Sequence, residues 1–163
     1  MIAALQLERF CLERISVRAN PGFDAENSDS DLKIPLGVDF EVRKKPKSWE
    51  FRIPMKVVIN PGNRKTMVGP YAIEFEMVGF FRLPSETTAE EVQKFIPLNA
   101  LAILWGVARG LVHQFTSAGP HGPLLLPTVN FVEIVNRKFR ETSQQEKIQK
   151  PKKVIRNGQQ RKK

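Results

Sequence analysis

An α+β fold, a four-stranded antiparallel sheet with one long helix and shorter helices packed on one face, is what this chain's residue pattern predicts. Three observations carry it. Three segments alternate strictly between apolar and polar residues, the links between them are short, and the apolar spacing changes from two to about 3.6 after Leu83-Pro84.

The first strand is expected over Leu5 to Val17, where the alternation slips between Leu7 and Phe10, the mark of a bulge. A polar, acidic loop over Asn20 to Asp31 follows. In the second strand Ile34, Leu36, Val38, Phe40 and Val42 alternate with Pro35, Gly37, Asp39 and Glu41. Trp49, Phe51, Ile53, Met55, Val57 and Ile59 set the third, and Tyr71, Ile73, Phe75, Met77, Gly79 and Phe81 the fourth. Each has one face toward a core. Pro35 and Pro54 lack a ladder donor and favour edge or strand-end positions. Lys44 to Ser48 and Asn60-Pro61-Gly62-Asn63 carry turn chemistry, and short links favour antiparallel neighbours.

Thr87 with Glu90 forms a capping box for a short helix stopped before Pro97. Leu101, Leu104, Trp105, Ala108, Leu111, Val112 and Phe115 then share one helical face, from about Asn99 to Thr116. The apolar loop Gly122-Pro123-Leu124-Leu125-Leu126-Pro127 leads to a last helix, with Asn130 as N-cap and Glu133 in its first turn, ending near Arg140.

The chain has 163 residues and a net charge of +9. Eight basic residues, against Glu146 alone, lie in 142–163. Residues 1–141 are therefore read as one nearly neutral domain and 142–163 as a basic, disordered tail. Such a tail attracts acidic surfaces, and without interleaved aromatics it holds nucleic acid only non-specifically.

Cys11 is the only cysteine, and His113 and His121 the only histidines, so no metal centre or other cofactor is expected. Glu8 and Arg9 cut short the apolar opening, which is not a signal peptide. Glycines and prolines break the uncharged stretch from Gly110 to Val132, so membrane insertion is not expected and the location is read as cytoplasmic. No phosphate-binding glycine loop, nucleophile elbow or Cys/His pair is present. Glu74 and Glu76 share a strand face, which solvation explains as well as catalysis does. Cys11 reads as a small core residue, His113 as a surface or helix-packing residue and His121 as a solvated loop residue. An enzyme is not expected.

Apolar surface is oversupplied instead. Eleven phenylalanines and two tryptophans serve one sheet layer and a thin helical layer. Val78 and Phe80 fall on the face of the fourth strand assigned to solvent, and Ile103 and Val107 fall outside the helix's main stripe. Core or subunit-interface packing explains these residues, and so does an apolar groove for peptide segments.

The run Ala108-Arg109-Gly110-Leu111-Val112-His113-Gln114-Phe115-Thr116-Ser117-Ala118-Gly119, followed by Leu124-Leu125-Leu126-Pro127-Thr128-Val129-Asn130-Phe131, resembles the SecB family of protein-export chaperones. Gly79-Phe80-Phe81 and the Ala19-Asn20-Pro21 turn resemble that family's strand ends. The likeness covers about residues 4–140. It implies an ATP-independent holdase that binds unfolded or nascent polypeptides in hydrophobic grooves and assembles as a homodimer or homotetramer. By position, Phe80, Phe81, Leu83, Trp105, Leu124, Leu125 and Leu126 would line or flank the groove.

Family members use acidic residues on the sheet surface to dock the zinc-containing tail of the motor SecA. The matching positions here are Arg14, Arg18 and Glu74, and the two arginines would repel a basic tail. The resemblance therefore carries the fold and holdase activity further than SecA docking. A SecB-like chaperone serving an antitoxin client is also consistent with it. The alternative from another class is a nucleic-acid or ribonucleoprotein adaptor acting through the tail.

Overall fold

The computed structural model describes residues 5–24, 26, 33–62, 66–84 and 89–149. It divides into two compact units, Met1–Phe131 and Val132–Lys163. The first holds strands β1 (Gln6–Ala19), β2 (Leu36–Phe40), β3 (Arg43–Lys44), β4 (Glu50–Ile59) and β5 (Tyr71–Arg82), then helix α1 (Ala89–Thr116). Helix α2 (Phe131–Gln149) begins at its last residue and runs through the second unit.

Every strand pairing is antiparallel, in the order β1-β5-β4-β2, with β3 also on β4. The strands β2/β3, β4 and β5 form a meander, and β1 returns beside β5 by the long 20–35 connection, a Greek-key path.

The expected second strand stops at Phe40, and a short fifth strand, β3, follows just beyond its expected end at Val42. Pro54 is the cause. Its carbonyl accepts the Glu41 N–H (3.1 Å), so the side of β4 facing β2 is the side where proline has no donor. The ladder lapses at Glu41-Val42 and resumes at Arg43↔Arg52 in unchanged register. Proline is thus tolerated inside a central strand because the partner strand breaks there.

On β1 the expected slip is a register shift between Leu7 and Arg9, and a second shift follows between Leu12 and Arg14. The first shift places Cys11 opposite Val78 on the outer face, where its thiol is exposed rather than in the core. A two-residue period cannot reveal which face a strand keeps after a bulge.

The link between β4 and β5 runs longer than the expected four-residue turn. Two buried asparagines hold it. Asn60, at φ 51°, donates to the carbonyls of Gly69 (3.3 Å) and Tyr71 (3.0 Å) and accepts the Val68 N–H. Asn20 donates to Met67 (3.3 Å) and Gly69 (3.0 Å). Short polar side chains tolerate left-handed backbone and replace ladder bonds.

Helix α1 is one continuous helix of 28 residues with Pro97 inside it, where two helices were expected. Pro97 cannot donate to the carbonyl four residues before it, and the helix runs on around that one missing bond. The capping box at Thr87 lies outside the described residues. Ile96, Ala100, Leu101, Leu104, Ala108 and Val112 are fully buried at helical spacing. The stretch Phe95–Thr116 is long and apolar enough to cross a membrane, but this buried stripe marks it as a core helix. Asn130 stands immediately before α2, in the N-cap position, and Glu133 lies in its first turn. Helix α2 continues past Arg140 to Gln149, so the tail expected from residue 142 begins as helix. Residues 150–163 lie outside the described residues.

The inner sheet face carries the core: Phe51, Ile53, Met55, Val57 and Ile59 on β4, and Tyr71, Ile73, Phe75, Met77 and Phe81 on β5. The helix comes close to the sheet at Gly79, where an added Cβ would sit 2.5 Å from the Phe81 ring on the same strand and 2.8 Å from Leu104 on α1. The substitution Gly79→Ala is expected to cost about 1–3 kcal/mol by overpacking, read as a lowered midpoint in thermal denaturation followed by circular dichroism.

Candidate functional site

The apolar loop after α1 is fastened at three points. The buried Thr116 hydroxyl donates to the Val112 carbonyl (2.7 Å) and accepts the Leu124 N–H (2.7 Å). The Trp105 indole N–H donates to the Pro127 carbonyl (3.0 Å), and its ring meets Phe131 edge-on at 6.0 Å. The Tyr71 hydroxyl donates to the Gly122 carbonyl (2.9 Å) and accepts the His121 N–H (3.1 Å). A Cβ on Gly119 would collide with that hydroxyl.

His121 is therefore no solvated loop residue. Its Nε2–H donates to the Asn20 carbonyl (2.8 Å), and its ring packs edge-on against Phe23 and Tyr71. These partners lie 50 and 101 residues away in sequence, so no local pattern announced them. His113 is exposed, as read, with its carbonyl accepting from Ser117.

Between these fastenings the three leucines separate by burial. Leu126 is 1% exposed, Leu124 is half-buried and Leu125 is 62% exposed. A large apolar side chain is thus held out on a loop whose backbone is fixed. The edge strand adds more open surface. Leu7, Leu12, Ile15 and Val17 on the inner face of β1 are half-buried, and Phe10 is 42% exposed. Phe95 and Phe115 are exposed near the two ends of α1's apolar stretch. Apart from Leu125, none of these positions was expected from sequence to be open, and Phe115 was placed on α1's packing face, because periodicity assigns a face and not its cover.

The remaining expected groove residues sit differently. Phe81, Leu83 and Trp105 are buried with Leu126 in the core. Phe80, adjacent to Phe81, points to the opposite sheet face, as a strand requires, and lies beneath the Arg9 guanidinium (4.1 Å to the ring centre). Val78 on the same outer face is 1% exposed. It stands between Cys11 and Pro54 in register, and the Arg52–Glu13 ion pair (3.2 Å) reaches across β5 beside it.

The outer face is otherwise a lattice of ion pairs. Lys56 Nζ lies 2.7 Å from Glu74 and 3.0 Å from Glu76, and Arg14 lies 4.0 Å from Glu74. Of the expected docking residues, Arg14 and Glu74 thus come together as partners. Arg18 instead donates to the Gly62 carbonyl. The hydrogen bond from Lys56 holds the Glu74 carboxyl below the usual carboxylate range, and Glu74 and Glu76 raise Lys56.

Among the described residues no group of three or more metal-ligating side chains exists, and no buried side-chain polar atom lacks a hydrogen-bond partner.

A Greek-key α+β unit with one long helix over its sheet and an apolar loop fastened back to that helix defines a SecB-like fold. No family model matches the chain. In sequence it is 24% identical over 128 residues to an uncharacterized protein, MJ0357, of Methanocaldococcus jannaschii, covering 78% of this chain and 79% of that one. It is 26% identical over 106 residues to the protein-export protein SecB of Rhodospirillum centenum, covering 64% of this chain and 61% of that one. In structure it matches the Rv1957 SecB-like chaperone of Mycobacterium tuberculosis, which was solved in complex with a ChAD peptide from the Rv1956 HigA1 antitoxin. The TM-score is 0.54 and the identity 16%, over 78% of this chain and 88% of that one.

The paired state of Glu74 has a pH signature. A depressed carboxyl stabilises the fold above its unfolded pKa, and the effect is lost as pH falls through the folded value. The acid-side fall in urea midpoint, below about pH 4.5, is expected to be shallower in Glu74→Gln than in the unaltered chain. Identical curves would show the ion pair to be energetically silent.

Proposed function

We propose that this protein is a SecB-like, ATP-independent holdase that binds unfolded or nascent polypeptides through apolar surface and makes or breaks no covalent bond. The observation that carries the reading is the fastened loop with Leu125 held out to solvent. A holdase needs attraction that grows with buried area and ignores sequence, which apolar surface supplies and a reactive group does not. In this reading Leu124 and Leu125 meet the client. Phe81, Leu83, Trp105 and Leu126 hold the surface in shape from beneath, and Phe80 serves the other sheet face. The likeness to SecB and to a SecB-like chaperone holding an antitoxin peptide supports polypeptides as the ligand class, an antitoxin among the candidates.

The protein acts in the cytoplasm, as a homodimer or homotetramer. The outward side of α1 carries Ala102, Gly106 and Gly110, with open space at both glycines, so another helix can approach it closely. Export coupling through SecA's basic tail is not part of the proposal, because Lys56 and Arg14 already engage Glu74. The nucleic-acid alternative rests on the basic residues of 142–163 alone.

Light scattering from a thermally aggregating client, without nucleotide, tests the proposal. Stoichiometric protein is expected to suppress the signal, and Leu125→Asp to weaken suppression severalfold with no loss of thermal stability. Absence of suppression by the unaltered chain contradicts the proposal.

A further inference from the structure

The outer sheet face carries a cleft of about 410 Å³ beside β3. Its lining includes five basic residues, Arg9, Arg43, Lys44, Lys45 and Arg52, against Glu8 and Glu50. Register explains the concentration. Arg43 lies opposite Arg52, Arg52 opposite Phe80, and Phe80 opposite Arg9. Directly opposed residues share a face, so three arginines and one phenylalanine form a single row across four strands.

The row places like charges side by side. Arg43 and Arg52 are opposed across β3 and β4, an arrangement that costs stability in a sheet. Each has one carboxylate at its flank, Glu41 at 2.5 Å and Glu13 at 3.2 Å. Arg9 differs. Among the described residues its partner is the Phe80 ring, 4.1 Å beneath it. A guanidinium lying on an aromatic ring keeps its in-plane N–H groups for an incoming anion. The neighbouring depression on the same face is lined by Glu13, Asp39, Glu41 and Glu76 with Lys56, so its balance is acidic where that of the cleft is basic.

We propose that this cleft docks an acidic stretch of a partner polypeptide, its carboxylates seated on Arg52 and Arg9. The inference rests on the polypeptide-binding reading above and adds a second, charge-selective contact on the opposite sheet face. Spacing supports it. Arg52 and Arg9 stand two strands apart, about 10 Å, close to the ~9 Å between residues i and i+3 of a polyproline II segment, whose side chains point the same way. A peptide with carboxylates three residues apart spans the pair. Nucleic acid fits less well, because the row offers one ring and Arg9 occupies its face, leaving no platform for stacked bases.

The test is fluorescence anisotropy of a short labelled peptide with Glu at every third position and Ser and Leu between, against the same peptide with Gln. The Glu peptide is expected to bind on the order of tenfold tighter, with affinity falling as salt rises. Arg9→Glu combined with Arg52→Glu is expected to remove that advantage. Arg18→Glu, on the same face outside the cleft, is expected to leave it within about twofold, and Arg52→Lys to retain most of it. Circular dichroism confirms that each variant is folded.

Equal binding of Glu and Gln peptides overturns the proposal, as does Glu-peptide binding untouched by the double reversal. Random single-stranded DNA that binds more tightly than the Glu peptide, and loses affinity in the same variants, overturns it in favour of a phosphate site. Suppression of aggregation of a client without acidic stretches is expected to persist in the double reversal. The cleft and the holdase reading therefore fail separately.

Discussion

A helix with its side chains is about 10–12 Å across, whereas four neighbouring strands at about 4.8 Å spacing are wider than that. Helix α1 is the longest element over the inner sheet face of the first unit, and this mismatch governs much of what the surface offers. The inward residues of the central strands β4 and β5 are almost wholly buried, while those of the edge strand β1 are half-open. Apolar surface therefore remains at the edge of the sheet, near both ends of α1's apolar stretch and at the loop beyond it. A chain that leaves such surface open either associates with copies of itself or lends it to other chains, and the reading offered here uses both.

The open surface is useful because what carries it is rigid. Thr116, Trp105 and Tyr71 each spend a side-chain hydrogen bond on the 117–130 segment, and His121 ties the same segment back to Asn20. With those bonds, Leu126 anchors the segment and Leu125 cannot follow it into the core.

Much of this was legible in the residues, and the misses share one physical origin. Alternation located β1, β2, β4 and β5 but not the two-residue β3, and helical spacing ended α1 at Thr116. The break after Phe40 was written in Pro54, but reading it requires knowing that Glu41 stands opposite. The continuity of α1 through Pro97 was missed because the tendency of proline to end a helix is outweighed here by the buried apolar stripe on both sides of it. Cys11 and His121 were misjudged because a bulge and a partner 101 residues away decide their surroundings, and no period announces the arginine that covers Phe80. Local period fixes which residues share a face. Cover over that face comes from contacts distant in sequence.

The most direct measurement of the central claim is site-specific photo-crosslinking to an unfolded polypeptide. A benzophenone side chain replacing Leu125 is expected to capture the client, while the same group replacing Ser16, on the charged outer face, is expected to capture little. Equal capture at both positions, or none at Leu125 under conditions where aggregation is suppressed, would contradict the account.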